Sequence, residues 1–126
     1  MEFTKKMFGL SVTAVLALNS SIAFAQAGET VKIAFIDPLS GPMANIGTNI
    51  LHTFQFLAER ESGKGNPAGV KYEIVPFDNK GSPQESLSVL KAATDQGIRY
   101  IAQGNGSGAA AAIRPSSRKR AAAIGS

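Results

Sequence analysis

The stretch VKYEIVPFDNKGSPQESLSVLKAATDQGIRYIA (residues 70–102) contains a complete strand–helix–strand unit and decides the fold class. Its first part, 70–78, is rich in β-forming residues and ends at an aspartate. Ser82 and Glu85 have the spacing of a capping box, in which the serine caps a helix and the glutamate bonds back to it. The last part, 98–102, predicts a second strand. The unit therefore predicts two strands joined by a helical crossover.

The predicted crossover helix has one apolar face. Leu87, Leu90 and either Ala93 or Thr94 recur at helical spacing, and we expect this face to pack on the sheet. Gly97 follows the last apolar position and predicts the end of the helix.

A similar pattern precedes this unit. Residues 31–36 predict a buried strand, and residues 42–61 predict a helix that ends before Gly63. The predicted inward stripe of this first helix consists of Ile46, Ile50, Phe54 and Leu57.

This alternation predicts an α/β fold with a parallel β-α-β-α-β sheet, because strands joined by helices form right-handed crossovers. Pro76 cannot donate to a ladder, so we expect its strand at or near an edge of the sheet. Parallel sheets bind ligands beyond the carboxyl ends of their strands. Three loops follow those ends, at 37–41, 78–82 and 103–108.

The third of these loops, GNGSGA (104–109), is the main candidate for chemistry. It matches G-x-G-x-x-A, the looser form of a dinucleotide fingerprint, but it follows the third strand rather than the first. Its glycines allow a ligand to approach the backbone closely. Ser107, placed before a helix expected to begin at the following alanines, offers a hydroxyl and free N–H groups to a small anion such as a carboxylate. A turn without any ligand remains an alternative.

Side chains typical of catalysis are sparse. The chain has no cysteine, which excludes disulfides, thiolate metal sites and a thiol nucleophile. His52 is the only histidine, and its position on the first helix predicts exposure. Asp37 and Asp78 follow strands, where an aspartate commonly caps a turn, although both could touch a ligand. We predict no catalytic residue, no metal site and no cofactor.

The charge of the 126-residue chain is unevenly distributed. The formal net charge is +4, but residues 26–113 carry seven basic and eight acidic side chains, a net charge of −1. The excess of positive charge therefore lies at the two ends of the chain. A basic footprint across the domain, typical of nucleic-acid-binding proteins, is not present, and no nucleic acid partner is predicted.

Residues 1–25 have the pattern of a secretory signal peptide. Lys5 and Lys6 precede an apolar run from 10 to 18, and Ala23 and Ala25 have the spacing that signal peptidase accepts. The run is shorter than the about 20 residues that a spanning helix needs. We expect cleavage after Ala25 and a mature protein in the periplasm.

Residues 114–126, RPSSRKRAAAIGS, depart from this alternation. Pro115 is expected to end the third helix, and the segment as a whole carries four basic side chains and no acidic one. The composition is typical of a GC-rich gene read out of frame, so we interpret this segment as a disordered or frameshifted tail. A basic arm that binds anionic lipid or nucleic acid, and a natural short homologue, are the alternatives. The predicted partial lobe is then 26–113.

Two stretches, VKIAFIDPLSGPMANIG and 70–113, resemble the start of the periplasmic branched-chain amino acid binding proteins, the substrate-binding components of ABC transporters. The resemblance implies a partial, truncated lobe of the type I periplasmic binding protein fold, a small-molecule ligand, a membrane permease as partner and no enzymatic activity. In this family a serine after the third strand holds the ligand's carboxylate, which falls on Ser107. Asn105 and Gly106 lie beside it, and Leu39 and Ile46 fall at the apolar wall.

Glycines on both sides of Ser107 depart from the family pattern, so the ligand implied is an amino acid or a related small solute. The chain matches only part of one lobe, and we expect such a fragment to be inactive alone and marginally stable or prone to aggregate. A dinucleotide-binding enzyme fragment and a small exported protein with a basic interaction tail are the alternative functions.

Overall fold

The computed structural model describes residues 28–124, so the predicted signal peptide lies outside the described residues. The elements alternate as predicted, with short 3-10 turns at Gly41–Met43 and Gly63–Gly65. In chain order the strands and α-helices are β1 (Thr30–Asp37), α1 (Ala44–Glu61), β2 (Lys71–Asp78), α2 (Pro83–Asp95), β3 (Tyr100–Ala102) and α3 (Ser107–Ile124).

The three described strands form one parallel sheet in the order β2-β1-β3. β1 pairs with β2 along its whole length, from Thr30 beside Lys71 to Asp37 beside Asp78. β3 pairs with the middle of β1 over three residues. The predictions of a parallel sheet and of an edge position for the strand with Pro76 are confirmed within the described residues. Each crossover also brings the carboxyl ends of the strands to the same edge of the sheet.

Helices pack on both faces of β1, because alternate side chains of a strand point to opposite faces. Ala34 and Ile36 are fully buried and pack in one cluster with Leu90, Ala93, Ile98 and Ile113 from the α2 and α3 side. On the opposite face the ring of Phe35 lies 5.2 Å from the ring of Phe54 in α1. A central strand buried on both faces explains the continuous apolar run in its sequence.

The inward face of α1 is rotated from the predicted stripe. Gly47 and Leu51 are buried, whereas Ile46 is 48% exposed. A Cβ atom at Gly47 would lie 1.9 Å from the carbonyl oxygen of Pro38. Only glycine lets the helix approach the β1–α1 loop this closely, and that approach turns Ile46 outward.

The inward face of α2 also differs in one position. Leu90 and Ala93 are fully buried as predicted, but Leu87 is 39% exposed and Ser86 is buried in its place. The buried hydroxyl of Ser86 donates to the Ser82 carbonyl at 2.7 Å, which satisfies it inside the first turn.

The ends of α2 follow the predicted caps with one exception. Ser82 Oγ accepts from the Glu85 N–H at 3.3 Å, and Gly97 follows the helix with a φ of 79°. The Ser82 N–H donates to the Asn79 carbonyl at 2.8 Å, so the return bond predicted from the Glu85 side chain is replaced by a turn contact.

The third helix is longer than predicted. α3 begins at Ser107, two residues before the alanine run, and continues through Pro115 to Ile124. The prediction that Pro115 ends the helix is therefore wrong. Ala111, whose carbonyl loses its bond to the missing N–H of Pro115, is exposed and can be hydrated. The division at Ile113 into a lobe and a frameshifted tail stays a prediction. No helix within 28–124 is long and apolar enough to cross a membrane.

Candidate functional site

Three loops meet at the carboxyl edge of the sheet, where Asp37 and Asp78 are direct neighbours in the β1–β2 register. Because all three described strands are parallel, the β1–α1, β2–α2 and β3–α3 loops leave from the same edge. This is the edge at which parallel α/β sheets bind ligands.

Asp37 connects the end of β1 to the β3–α3 loop. Its side chain is fully buried, and Oδ1 accepts from the N–H groups of Gly104 at 3.2 Å and Asn105 at 2.8 Å. Oδ2 has no hydrogen-bond partner among the described residues. Burial raises the pKa of Asp37, and the two backbone hydrogen bonds only partly oppose this shift. The carboxyl group thus holds the loop that precedes Ser107 against the central strand.

Asp78 has the corresponding role for the β1–α1 loop. Its Oδ1 accepts from the N–H groups of Leu39 at 2.9 Å and Lys80 at 2.8 Å. Burial favours a higher pKa for Asp78, but these bonds and a bond from the Ser40 hydroxyl outweigh burial and lower it. The predicted turn-capping role is confirmed for Asp78, whose Oδ1 accepts from the Lys80 N–H two residues later. Asp37 instead binds the distant β3–α3 loop, so it does not cap its own turn.

Gln103 shapes the β3–α3 loop from within. Its Nε2 donates to the carbonyl oxygens of Asn105 and Gly106, each at 3.1 Å. Gly106 has a φ of 93°, in the left-handed region that favours glycine, and its carbonyl accepts the first helical bond, from Ala110 at 3.1 Å. Gly106 therefore occupies the N-cap position of α3.

The N-terminus of α3 has no side-chain cap, because Gly106 carries no side chain to accept from the first turn. The N–H groups of Ser107, Gly108 and Ala109 have no acceptor within the described part of the chain. Ser107 and Gly108 are exposed. Unpaired N–H groups and the helix dipole together favour an anion at this position.

The predicted site residues fall into two groups. Asn105, Gly106 and Ser107 are consecutive and lie together at the start of α3. Leu39 is half-buried in the β1–α1 loop and Ile46 is largely exposed on α1. The apolar side chain that touches the β3–α3 loop is instead Ile50, whose Cγ2 would lie 2.4 Å from a Cβ atom at Gly104. The apolar wall at Leu39 and Ile46 stays a prediction.

Two residues of the site edge were not predicted. Gln103 organises the loop, and Asn79 is fully buried with its Oδ1 accepting from Gly81 N–H at 2.9 Å. Both follow directly on a strand end, and this position is the only signal in the sequence that could have identified them. His52 is exposed as predicted.

A cavity of about 400 Å³ lies at the opposite edge of the sheet, at the amino ends of β1 and β3, and its wall includes Lys32, Arg99 and Tyr100. A smaller cavity of about 160 Å³ lies beside α3, and its wall includes Gln103 and Ile113. Residues 28–124 contain no group of three histidine, aspartate or glutamate side chains placed to hold a metal ion. At the start of α3, the groups available to a ligand are the backbone N–H groups and the Ser107 hydroxyl.

Comparison with known proteins identifies the fold independently. Residues 30–124 match the model of a family described as periplasmic binding protein. The match includes all of α3 and therefore extends beyond the boundary predicted at Ile113.

Relatives with sequence similarity carry more specific names. The chain is 32% identical over 114 residues to Leu/Ile/Val-binding protein homolog 4 of Brucella abortus, covering 90% of this chain and 27% of that protein. The branched-chain amino acid transporter substrate binding protein LivJ of Streptococcus pneumoniae, solved with isoleucine, superposes with a TM-score of 0.65 at 29% identity, over 73% of this chain and 27% of that one.

A second solved structure agrees. The leucine-, isoleucine-, valine-, threonine- and alanine-binding protein of Brucella ovis superposes with a TM-score of 0.61 at 33% identity, over 72% of this chain and 23% of that one. The chain thus spans about a quarter of the length of these relatives. Its parallel α/β architecture corresponds to part of their type I fold. The chain belongs to the periplasmic binding protein family.

Proposed function

We propose that this chain provides the carboxylate-holding part of a substrate-binding protein for an ABC importer of branched-chain amino acids or related small solutes. The observation that carries the proposal is the uncapped N-terminus of α3. There the Ser107 hydroxyl and three unpaired N–H groups lie at the carboxyl edge of the sheet. The names of the relatives, which are Leu/Ile/Val-binding proteins, support the solute class.

The chemistry of this helix end suits a carboxylate. The helix dipole places a partial positive charge at the first turn, and the N–H groups point out of it. A hydrogen bond to a charged group is worth about 1.5–3 kcal/mol, so several such bonds hold one end of a small zwitterion. Glycines on both sides of Ser107 remove the side chains that would keep a ligand from the backbone.

The loop that presents Ser107 is held in place before a ligand arrives. Asp37 fixes Gly104 and Asn105, and Gln103 fixes the carbonyls of Asn105 and Gly106. A site whose donors are already oriented does not lose the free energy of ordering them on binding. In the proposed site Leu39 and Ile46 lie toward the apolar side chain of the ligand.

The proposed activity is binding and delivery, without a chemical reaction. The named relatives are binding proteins and substrate-binding components of transporters. The proposed partner is therefore a membrane permease. The proposed location is the periplasm, which membership of the periplasmic binding protein family supports. Cleavage after Ala25 is part of the proposal, and the mass of the exported protein tests it.

Titration of the full chain with acetate tests the carboxylate site. Binding is monitored by NMR through the amide resonances of α3. Acetate should shift the amides of Ser107, Gly108 and Ala109. Ser107→Ala removes the hydroxyl and keeps the N–H groups, so we expect roughly 10- to 100-fold weaker binding, which corresponds to one charged hydrogen bond. Ser117→Ala is the matched control, since the Ser117 hydroxyl donates to Arg114 O in the same helix, away from the site.

Three results would contradict the proposal. The first is a set of acetate-induced shifts confined to amides elsewhere in the chain, and the second is equal binding of acetate by Ser107→Ala and Ser117→Ala. A response of these amides to NAD but not to acetate would favour the dinucleotide alternative.

A further inference from the structure

We propose that Asn105–Gly106 is a spontaneous deamidation site, which converts Asn105 to a carboxylate directly beside Ser107. The chemical step stands on the structure of the β3–α3 loop alone. Its consequence for binding rests on the proposed function. Asn105 is the only asparagine in the sequence that is followed by glycine.

The two reacting groups are not held by other contacts. The Gly106 N–H, which supplies the attacking nitrogen, donates to no acceptor among residues 28–124. The side-chain amide of Asn105 likewise has no hydrogen bond in that range, although its backbone N–H is held by Asp37. Gly106 is exposed to solvent and has no Cβ atom to shield its nitrogen.

The electrostatic field at the N-terminus of α3 favours the deamidation of Asn105. Attack passes through a negatively charged amide nitrogen and then a tetrahedral oxyanion. Asn105 and Gly106 lie at the uncapped N-terminus of an 18-residue helix, where the dipole stabilises negative charge.

The step balances with water as the only co-reactant. Solvent base takes the Gly106 N–H proton, and the nitrogen forms a bond to Cγ of Asn105. The Cγ–Nδ2 bond breaks and ammonia leaves with a proton from solvent. Water then opens the cyclic imide at either carbonyl, which gives aspartate or isoaspartate. No oxidation or reduction occurs.

The product changes the charge of the proposed site. A carboxylate at position 105 lies two residues before Ser107 and next to buried Asp37. This carboxylate lies at the N-terminus of α3, where the ligand's carboxylate would lie, and it therefore competes with the ligand for the same N–H groups. We therefore infer that ageing of the protein inactivates this half of the site.

Peptide mapping of the full chain tests the chemical step. The chain is incubated in mildly alkaline buffer with and without denaturant, and the tryptic peptide that begins at Tyr100 is followed by mass. The native rate at Asn105 is expected within about tenfold of the denatured rate, a conformational cost of about 1.4 kcal/mol. Asn45 and Asn49, both followed by isoleucine in α1, are internal controls and should remain unchanged.

Protection of Asn105 by more than that factor in the native chain would overturn the proposal, as would faster reaction at Asn45 or Asn49. The effect on binding is read separately by acetate titration of Asn105→Asp, which represents the product, and Asn105→Gln, which keeps a neutral amide. Asn105→Asp should bind acetate at least about 10-fold more weakly than Asn105→Gln. Equal binding would refute the inactivation and leave the chemical result standing.

Discussion

Asp37→Ala is expected to damage both the fold and the proposed site. Asp37 is fully buried and its Oδ1 accepts from Gly104 N–H and Asn105 N–H. Removing the carboxyl group leaves both donors without an acceptor, at about 1–3 kcal/mol each, or about 2–6 kcal/mol in total. Complete small domains have unfolding free energies of only about 5–15 kcal/mol. The loop that presents Ser107 should lose its fixed position at the same time.

Two further variants make the measurement interpretable. Asp37→Asn keeps an acceptor oxygen for both N–H groups, so its unfolding free energy should exceed that of Asp37→Ala by at least about 1 kcal/mol. Asp95→Ala removes an exposed aspartate whose ion pair with Lys91 is also exposed, and should cost less than about 1 kcal/mol. Urea unfolding followed by circular dichroism gives all three values. Equal losses of unfolding free energy for Asp37→Ala and Asp95→Ala would refute the stabilising role of the Asp37 clamp, the two hydrogen bonds from Gly104 and Asn105 to Asp37.

The pH dependence of this clamp has a defined sign. The pKa of Asp37 is raised in the folded state, because burial disfavours its ionised form. Its contribution to stability is therefore complete below the ordinary aspartate pKa and is lost as the pH rises through the folded pKa. Asp37→Asn should remove this loss, so its unfolding free energy should fall less than that of the unmodified chain over this pH window.

Three further predictions concern separate parts of the molecule. Gly47→Ala places a Cβ atom 1.9 Å from Pro38 O and should lower the unfolding free energy by about 1–3 kcal/mol. Gly108→Ala is the control and should not lower it, because the nearest atom to its Cβ lies at 3.7 Å. A thermal melt in which Gly108→Ala is the less stable variant contradicts this packing. The pKa of Asp78 is lowered by its hydrogen bonds despite burial, so its contribution to stability is present above the ordinary aspartate pKa and is lost as the pH falls through the folded pKa. On acid titration, the unfolding free energy of Asp78→Asn should therefore fall less steeply than that of the unmodified chain. Pro115→Ala should stabilise α3 by up to about 3 kcal/mol, visible as increased helical circular dichroism, and an unchanged signal would contradict the helix through this position.

Elements and topology were predictable from the sequence because their signals are local. Strand composition, the Ser82 cap and the Gly97 stop are each read within a few residues, and the structure confirms them. Alternation of strands and helices then restricts the sheet to a parallel one. The edge position of β2 followed from Pro76 for the same reason.

Helix faces and the length of α3 were harder to predict, because they depend on contacts between distant residues. The approach of α1 to Pro38 depends on Gly47, which periodicity counts as neutral. A proline normally ends a helix, but α3 continues through Pro115, where the carbonyl that loses its helical bond belongs to the exposed residue Ala111.

The candidate site was predictable as a loop and not as a network. The position of GNGSGA after a strand indicated Ser107, and the resemblance to a family gave it a role. The bonds from Asp37 to the loop cross 67 and 68 residues of sequence, and no local pattern reports such a contact. The role of Gln103 likewise depends on the shape of the loop that it stabilises.

The central claim, that the N-terminus of α3 holds the carboxylate of an amino acid, is tested most directly by comparing two ligands. Leucine and isoamylamine share the branched side chain and the ammonium group, but isoamylamine lacks the carboxylate. The account predicts that leucine shifts the amide resonances of Ser107, Gly108 and Ala109 and that isoamylamine does not. Equal shifts with both ligands, or leucine-induced shifts confined to other parts of the folded chain, would contradict it.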